Sequence, residues 1–177
     1  MSVKKWLPLL IVSPLVLLID QLAKWWVLSN LNLGDSVPII AAVAPYIQIT
    51  RATNAGIAFG IGENAGMIFT VLPILITGMV LWMYTQSKLG EWWHQVSLAM
   101  IIGGAIGNII DRLRFEHVID FVHVYIPGLV SNVSNFADHF IVVGVIILLI
   151  DSFLQDRPKT EDNTDNQTDS IIMIAEE

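Results

Sequence analysis

Cysteine is absent from all 177 residues, which excludes disulfides, thiolate metal sites, a cysteine nucleophile and lipid attachment to the chain through a thiol. Charge is scarce: 14% of the chain is Asp, Glu, Lys or Arg, where a soluble domain carries about a quarter. No basic run is large enough to hold a nucleic acid. Serine catalysis has no foothold either, because there is no Gly-x-Ser-x-Gly and no serine–histidine grouping of triad form. Metal ligands are poorly supplied. Asp120-x-x-His123 and Asp138-His139 are suggestive, but adjacent residues on a helix point about 100° apart, and no His-x-x-x-His spacing occurs. Neither a metal nor any other cofactor is expected.

What the chain has in abundance is apolar sequence: 54% of its residues are hydrophobic and its mean hydropathy is +0.65. Four runs, at about 6–28, 65–84, 95–112 and 136–153, approach or exceed the ~20 helical residues that cross a bilayer core. The third is short as a purely apolar run, which tilt accommodates. These runs predict an all-α polytopic membrane protein with four transmembrane helices. Lys4 and Lys5 before the first run imitate a signal peptide, but the run continues through Asp20, Lys24, Trp25 and Trp26 without a small-residue cleavage site. An uncleaved first helix is expected.

Four spans put both termini on one face. Lys4, Lys5, Lys88, Arg157 and Lys159 then stand against Lys24, Arg51, Arg112 and Arg114 on the other, a narrow excess that makes the termini cytoplasmic. The extracytoplasmic segments become 29–64 and 113–135. The formal charge of −7 is concentrated in a tail, 155–177, that holds seven acids and two bases. Its sequence lacks the apolar content to build a core and reads as disordered. Residues 1–154 form the membrane domain in this reading.

Within the first outer segment, Ile47 and Ile49 alternate with Gln48 and Thr50, a strand pattern. Gly56, Gly60 and Gly62 follow and permit tight turns or a close approach to a ligand. The third helix runs through Gly103, Gly104 and Gly107, small residues that let a neighbouring helix come close. It ends on Asn108, Asp111 and Arg112, the first two sharing a helical face.

Carboxylates are the residues that call for explanation. Asp111, Asp120 and Asp138 gather where helices three and four meet one face of the membrane, and such charges persist there only if paired, hydrated or used. Asp120 reads as a loop residue enclosed by Val118, Ile119 and Phe121, whose burial would raise its pKa. Asp138 falls in the first turn of helix four, where the helix dipole alone would favour an acid. Two carboxylates sharing a site cannot easily both ionise, so such a pair can hold a water and polarise a carbonyl. Asp20 and Lys24, four apart on helix one, read as an ion pair that neutralises two buried charges. A transporter would use such acids as an ion path but would spread them through the bilayer depth. A scaffold would pair every acid with Lys24, Arg112 or Arg114.

Five blocks resemble the bacterial lipoprotein signal peptidases, the signal peptidase II family. They are Asp20-Gln-Leu-Ala-Lys24, Asn54-Ala-Gly-Ile-Ala-Phe-Gly60, Gly104-Ala-Ile-Gly-Asn-Ile-Ile-Asp-Arg112, Val118-Ile-Asp-Phe121 and Asn135-Phe-Ala-Asp138, in the family's order across residues about 5–153. The resemblance implies an aspartic endopeptidase of the bacterial inner membrane, with four helices and a small extracytoplasmic β-rich cradle. Its implied partners are membrane lipid and prolipoproteins carrying diacylglycerol on a cysteine, cut just before that cysteine. It assigns the catalytic pair to Asp120 and Asp138, a choice between Asp111 and Asp120 that chemistry alone left open. Asn54, Asn108, Arg112 and Asn135 match pocket residues, Asp111 a supporting acid, and Asp20 and Lys24 the helix-one acid and base. Ser134 before Asn135, His139 after Asp138, and His123 depart from the usual family pattern.

Overall fold

The computed structural model describes residues 3–40, 42–44, 46–56 and 65–155. Among the described residues four helices and four strands follow in the order α1 (Val3–Asn30), β1 (Ser36–Pro38), β2 (Ile47–Asn54), α2 (Ala65–Gln86), α3 (Trp92–Phe115), β3 (Val118–Ile126), β4 (Val130–Ser134) and α4 (Phe136–Gln155). All four helices are long and apolar enough to cross a membrane.

Each helix outruns its apolar stretch, because intrahelical hydrogen bonds persist until something in the chain stops them. At α3 the stop is Glu116, which takes a left-handed conformation (φ 66°) and donates its N–H to the Arg112 carbonyl. Pro8 and Pro14 lie inside α1 and Pro73 inside α2. Such prolines are tolerated in membrane helices; beyond Pro73 the Thr77 hydroxyl turns back on the helix and donates to the Pro73 carbonyl at 2.7 Å.

Helix α3 is the central member of the bundle. Of its apolar span 56% is buried within the protein, against 11% for α2 and α4, which leave their sides to lipid. Its small residues explain why. A Cβ on Gly104 would lie 2.5 Å from the Ala137 carbonyl oxygen of α4, and one on Gly107 would lie 2.7 Å from Asp20 Oδ2 of α1. Glycine thus lets the backbone of α4 and the Asp20 carboxylate of α1 close on α3 at the level of the acids.

The strands form one antiparallel sheet in the order β1-β2-β3-β4. Its central seam joins β2 to β3, with Asn54 opposite Val118 and Ala52 opposite Asp120, and a bulge between Ile49 and Ala52. β3 and β4 are a hairpin turning near Gly128 (φ 73°). Ile119, Phe121 and Val122 of the sheet pack with Val27 and Leu31 at the end of α1, and Phe121 meets Phe136 of α4 edge-on at 5.0 Å. A second core, built on Val80, Tyr84, Leu98 and Ile102, holds α2 to α3.

The structure corrects one expectation: Asp120 is a strand residue, and 118–134 is a hairpin where a loop was expected. Residues 118–122 are buried without a break, so the alternation that marks a half-exposed strand is missing. The strand read at 47–50 is present and runs to Asn54. Gly60 and Gly62, and the tail from residue 156 onward, lie outside the described residues.

Candidate active site

The elements converge where the C-terminal halves of α1 and α3, the start of α4 and the β2–β3 seam meet. All nine residues singled out from the sequence belong to one connected set of hydrogen bonds and ion pairs there.

Lys24 is its cationic centre. The ammonium lies 2.8 Å from Asp20 Oδ2 and 2.7 Å from Asp111 Oδ2, and donates to Asn108 Oδ1 at 3.0 Å. Lys24 is 2% exposed, Asp20 0% and Asp111 1%, so these charges are compensated inside the protein. Each acid also accepts a backbone N–H: Asp20 Oδ1 from Ala137 at 2.9 Å, and Asp111 Oδ2 from Ile119 at 3.1 Å. Gln21, which the sequence reading did not single out, donates to Asp20 Oδ2 and Asp111 Oδ1 at 3.2 and 3.1 Å. Its position within the block that begins at Asp20 was the available signal.

Asp120 and Asp138 are held differently. Asp120 receives the Asn135 amide at 2.6 Å and the Asn54 amide at 3.0 Å, one on each oxygen. Both donors have fixed orientations, because Asn54 Oδ1 accepts from Gly56 N–H and Asn135 Oδ1 from Asp138 N–H, each at 2.9 Å. Asn135 thereby caps the first turn of α4 while gripping Asp120. Asp138 Oδ1 accepts from Asn108 Nδ2 at 2.7 Å. Among the described residues neither Asp120 nor Asp138 forms an ion pair. Burial raises the Asp120 pKa above the ordinary carboxylate value; the Asn135 and Asn54 bonds oppose this, and the charge of nearby Asp138 adds to it. Asp120 is 3% exposed, whereas Asp138 is half-buried and Asn54 lies at the surface, so the site opens on their side.

Arg112 does not pair with Asp111, whose charge Lys24 takes. Its guanidinium donates instead to the Asn108 carbonyl at 3.3 Å. Arg114, the other arginine of this turn, lies 5.0 Å over the Phe115 ring. His123 and His139 bond Ser131 and Ser134 at 3.2 and 3.0 Å.

The fold and site define a four-helix membrane-spanning protein with one cation-paired and one amide-held set of carboxylates where its helices meet a small sheet. The family model described as signal peptidase (SPase) II matches residues 12–154, and the chain belongs to this family. It is therefore a peptidase of lipoprotein processing and a multi-pass inner-membrane protein. Two solved structures described as bacterial membrane enzymes, both obtained by the in meso method, are similar to it. One is 28% identical with a TM-score of 0.76, covering 84% of this chain and 94% of its own. The other is 26% identical with a TM-score of 0.74, covering 88% and 92%.

Proposed function

We propose that the chain is an aspartic endopeptidase that removes the signal peptide from diacylglyceryl-modified prolipoproteins, cutting just before the lipidated cysteine, with Asp120 and Asp138 as its catalytic dyad. The observation that carries this reading is the division among the four acids. Asp20 and Asp111 share an ion pair with Lys24, whereas the side-chain hydrogen bonds to Asp120 and Asp138 come from amides and the charge of Arg112 reaches Asp138 only from beyond ion-pair distance. A scaffold in which every acid serves an ion pair does not have this pattern.

In the mechanism, the ionised member of the dyad takes a proton from a water held between the two carboxyls. The hydroxide adds to the scissile carbonyl carbon while the protonated member gives its proton to the carbonyl oxygen, forming a neutral gem-diol. The first carboxyl then passes its new proton to the amide nitrogen as the C–N bond breaks. The second recovers a proton from a gem-diol hydroxyl, so the dyad is restored. Burial favours Asp120 as the proton carrier, although the pair titrates as a unit. Arg112 and the outer amides would orient the peptide backbone.

The termini are cytoplasmic in this reading, and the sheet lies on the outer face as a cradle for the peptide. The lipid chains stay in the bilayer while the scissile bond reaches water. Residues 1–154 are the catalytic domain and 155–177 an appended tail. The test is cleavage of a diacylglyceryl-modified prolipoprotein by wild type, Asp120→Asn and Asp138→Asn, with an unlipidated control. Cleavage by wild type alone, and of the lipidated substrate alone, is expected. Wild-type rates in either variant would remove the dyad.

A further inference from the structure

We propose that Asp20 and Asp111 are positioning residues for the reaction: each clamps the backbone N–H immediately before one of the paired carboxylates, and Lys24 ties the two clamps into one unit. The inference rests on the dyad reading above and extends it to residues that touch no substrate.

Electrostatics alone does not account for this cluster. One ammonium balances one carboxylate, yet two are buried against Lys24, and Arg112 acts on Asp111 only from beyond ion-pair distance. The second acid therefore requires another explanation, and the backbone supplies it. Asp20 accepts from Ala137, the residue before Asp138, and Asp111 accepts from Ile119, the residue before Asp120. These contacts span α1 to α4 and α3 to β3, elements that carry the two carboxylates from opposite sides. Lys24 joins the clamps and adds a third tie, since its bond to Asn108 Oδ1 turns the Asn108 amide so that Nδ2 faces Asp138. The spacing of the dyad is thus set by a rigid unit one layer behind it. Misplacement on the order of 1 Å at a reacting group lowers rates by roughly 10²-fold.

The hydrogen bonds also predict an asymmetry that a purely structural role does not. At Asp111 a single oxygen, Oδ2, accepts both from Lys24 and from Ile119. An asparagine can supply that oxygen and gives up only the Gln21 bond to Oδ1, while Gln21 keeps its bonds to Asp20 and the Gly107 carbonyl. At Asp20 the duties are divided: Oδ1 takes Ala137 and Oδ2 takes Lys24. An asparagine has one oxygen and must abandon one of them.

The test measures kcat and KM for the diacylglyceryl-modified substrate with full-length variants, normalised to the folded fraction from thermal unfolding. Asp111→Ala, Asp20→Ala and Asp20→Asn are expected to lower kcat roughly 10²-fold with KM held within about threefold. Asp111→Asn should stay within a few-fold of wild type, rescuing the alanine defect. If the alanine variants fail to fold, the two asparagine variants decide, and equal rates in them overturn the proposal. A folded Asp111→Ala with wild-type kcat overturns it too, as does an Asp111→Asn no faster than Asp111→Ala. Asp138→Asn run alongside separates the two claims: activity there removes the dyad and this proposal together. An inactive Asp138→Asn beside a fully active Asp111→Ala removes this proposal alone.

Discussion

Two pairs of aspartates sit within the same few turns of this protein, and their surroundings give them different chemistry. Asp20 and Asp111 are sealed from solvent on a shared lysine, with backbone amides filling further acceptor positions. Asp120 and Asp138 face asparagine side chains, which orient a carboxylate without cancelling its charge. An ammonium brings a compensating charge to a carboxylate; an amide brings a hydrogen bond without one. Identical residue types thus differ in whether their donor is charged, and the proposed dyad assigns the framework role to one pair and the reactive role to the other.

The sharpest way to break the comparison is to remove a charge from each side. Asp138→Asn should abolish cleavage, a loss of at least about 10³-fold, while leaving the thermal unfolding transition near that of wild type. Lys24→Met should do the reverse in kind. Two buried acids would lose their counter-ion, and a loss on the order of 3–5 kcal/mol in stability should appear as a sharply lowered transition or a failure to accumulate. A well-folded Lys24→Met would mean that the first pair is not held by its lysine.

Smaller effects sharpen the distinction. Gly107→Ala places a methyl group 2.7 Å from Asp20 Oδ2, so the carboxylate must shift against its Lys24 and Gln21 partners. A destabilisation of about 1–3 kcal/mol is expected from this overpacking, measurable as a shift in the unfolding midpoint. Asn54→Ala removes one of the two bonds that lower the Asp120 pKa. Asp120 would then keep its proton to higher pH, so the alkaline limb of the activity profile should move upward, with kcat reduced only a few-fold. An unmoved or downward-moving limb would show that Asn54 does not tune this carboxyl.

Much of this was legible in the sequence, for reasons that also mark where legibility stops. The four helices announce themselves because the bilayer demands long apolar runs, and β2 is visible through the alternation around Ile47 and Ile49. Five short blocks identify the family and gather the site residues. The partnership of Lys24 with Asp111 was invisible, since it joins positions 87 apart through α1–α3 packing that glycine permits. β3 was hidden because its residues are covered on both sides. Arg112 does not pair with Asp111, because residues adjacent in sequence diverge around the helix axis.

The β2–β3 seam has a consequence for how the protein is made. Its two strands lie on opposite sides of α2 and α3 in the chain, so the sheet cannot close until both helices have been inserted and both outer segments have reached the same side of the bilayer. Asn54 is delivered early and Asp120 late, and Asp138 later still. A nascent chain halted before α4 lacks Asp138, so under the proposed dyad peptidase activity begins only when insertion of the last helix is under way.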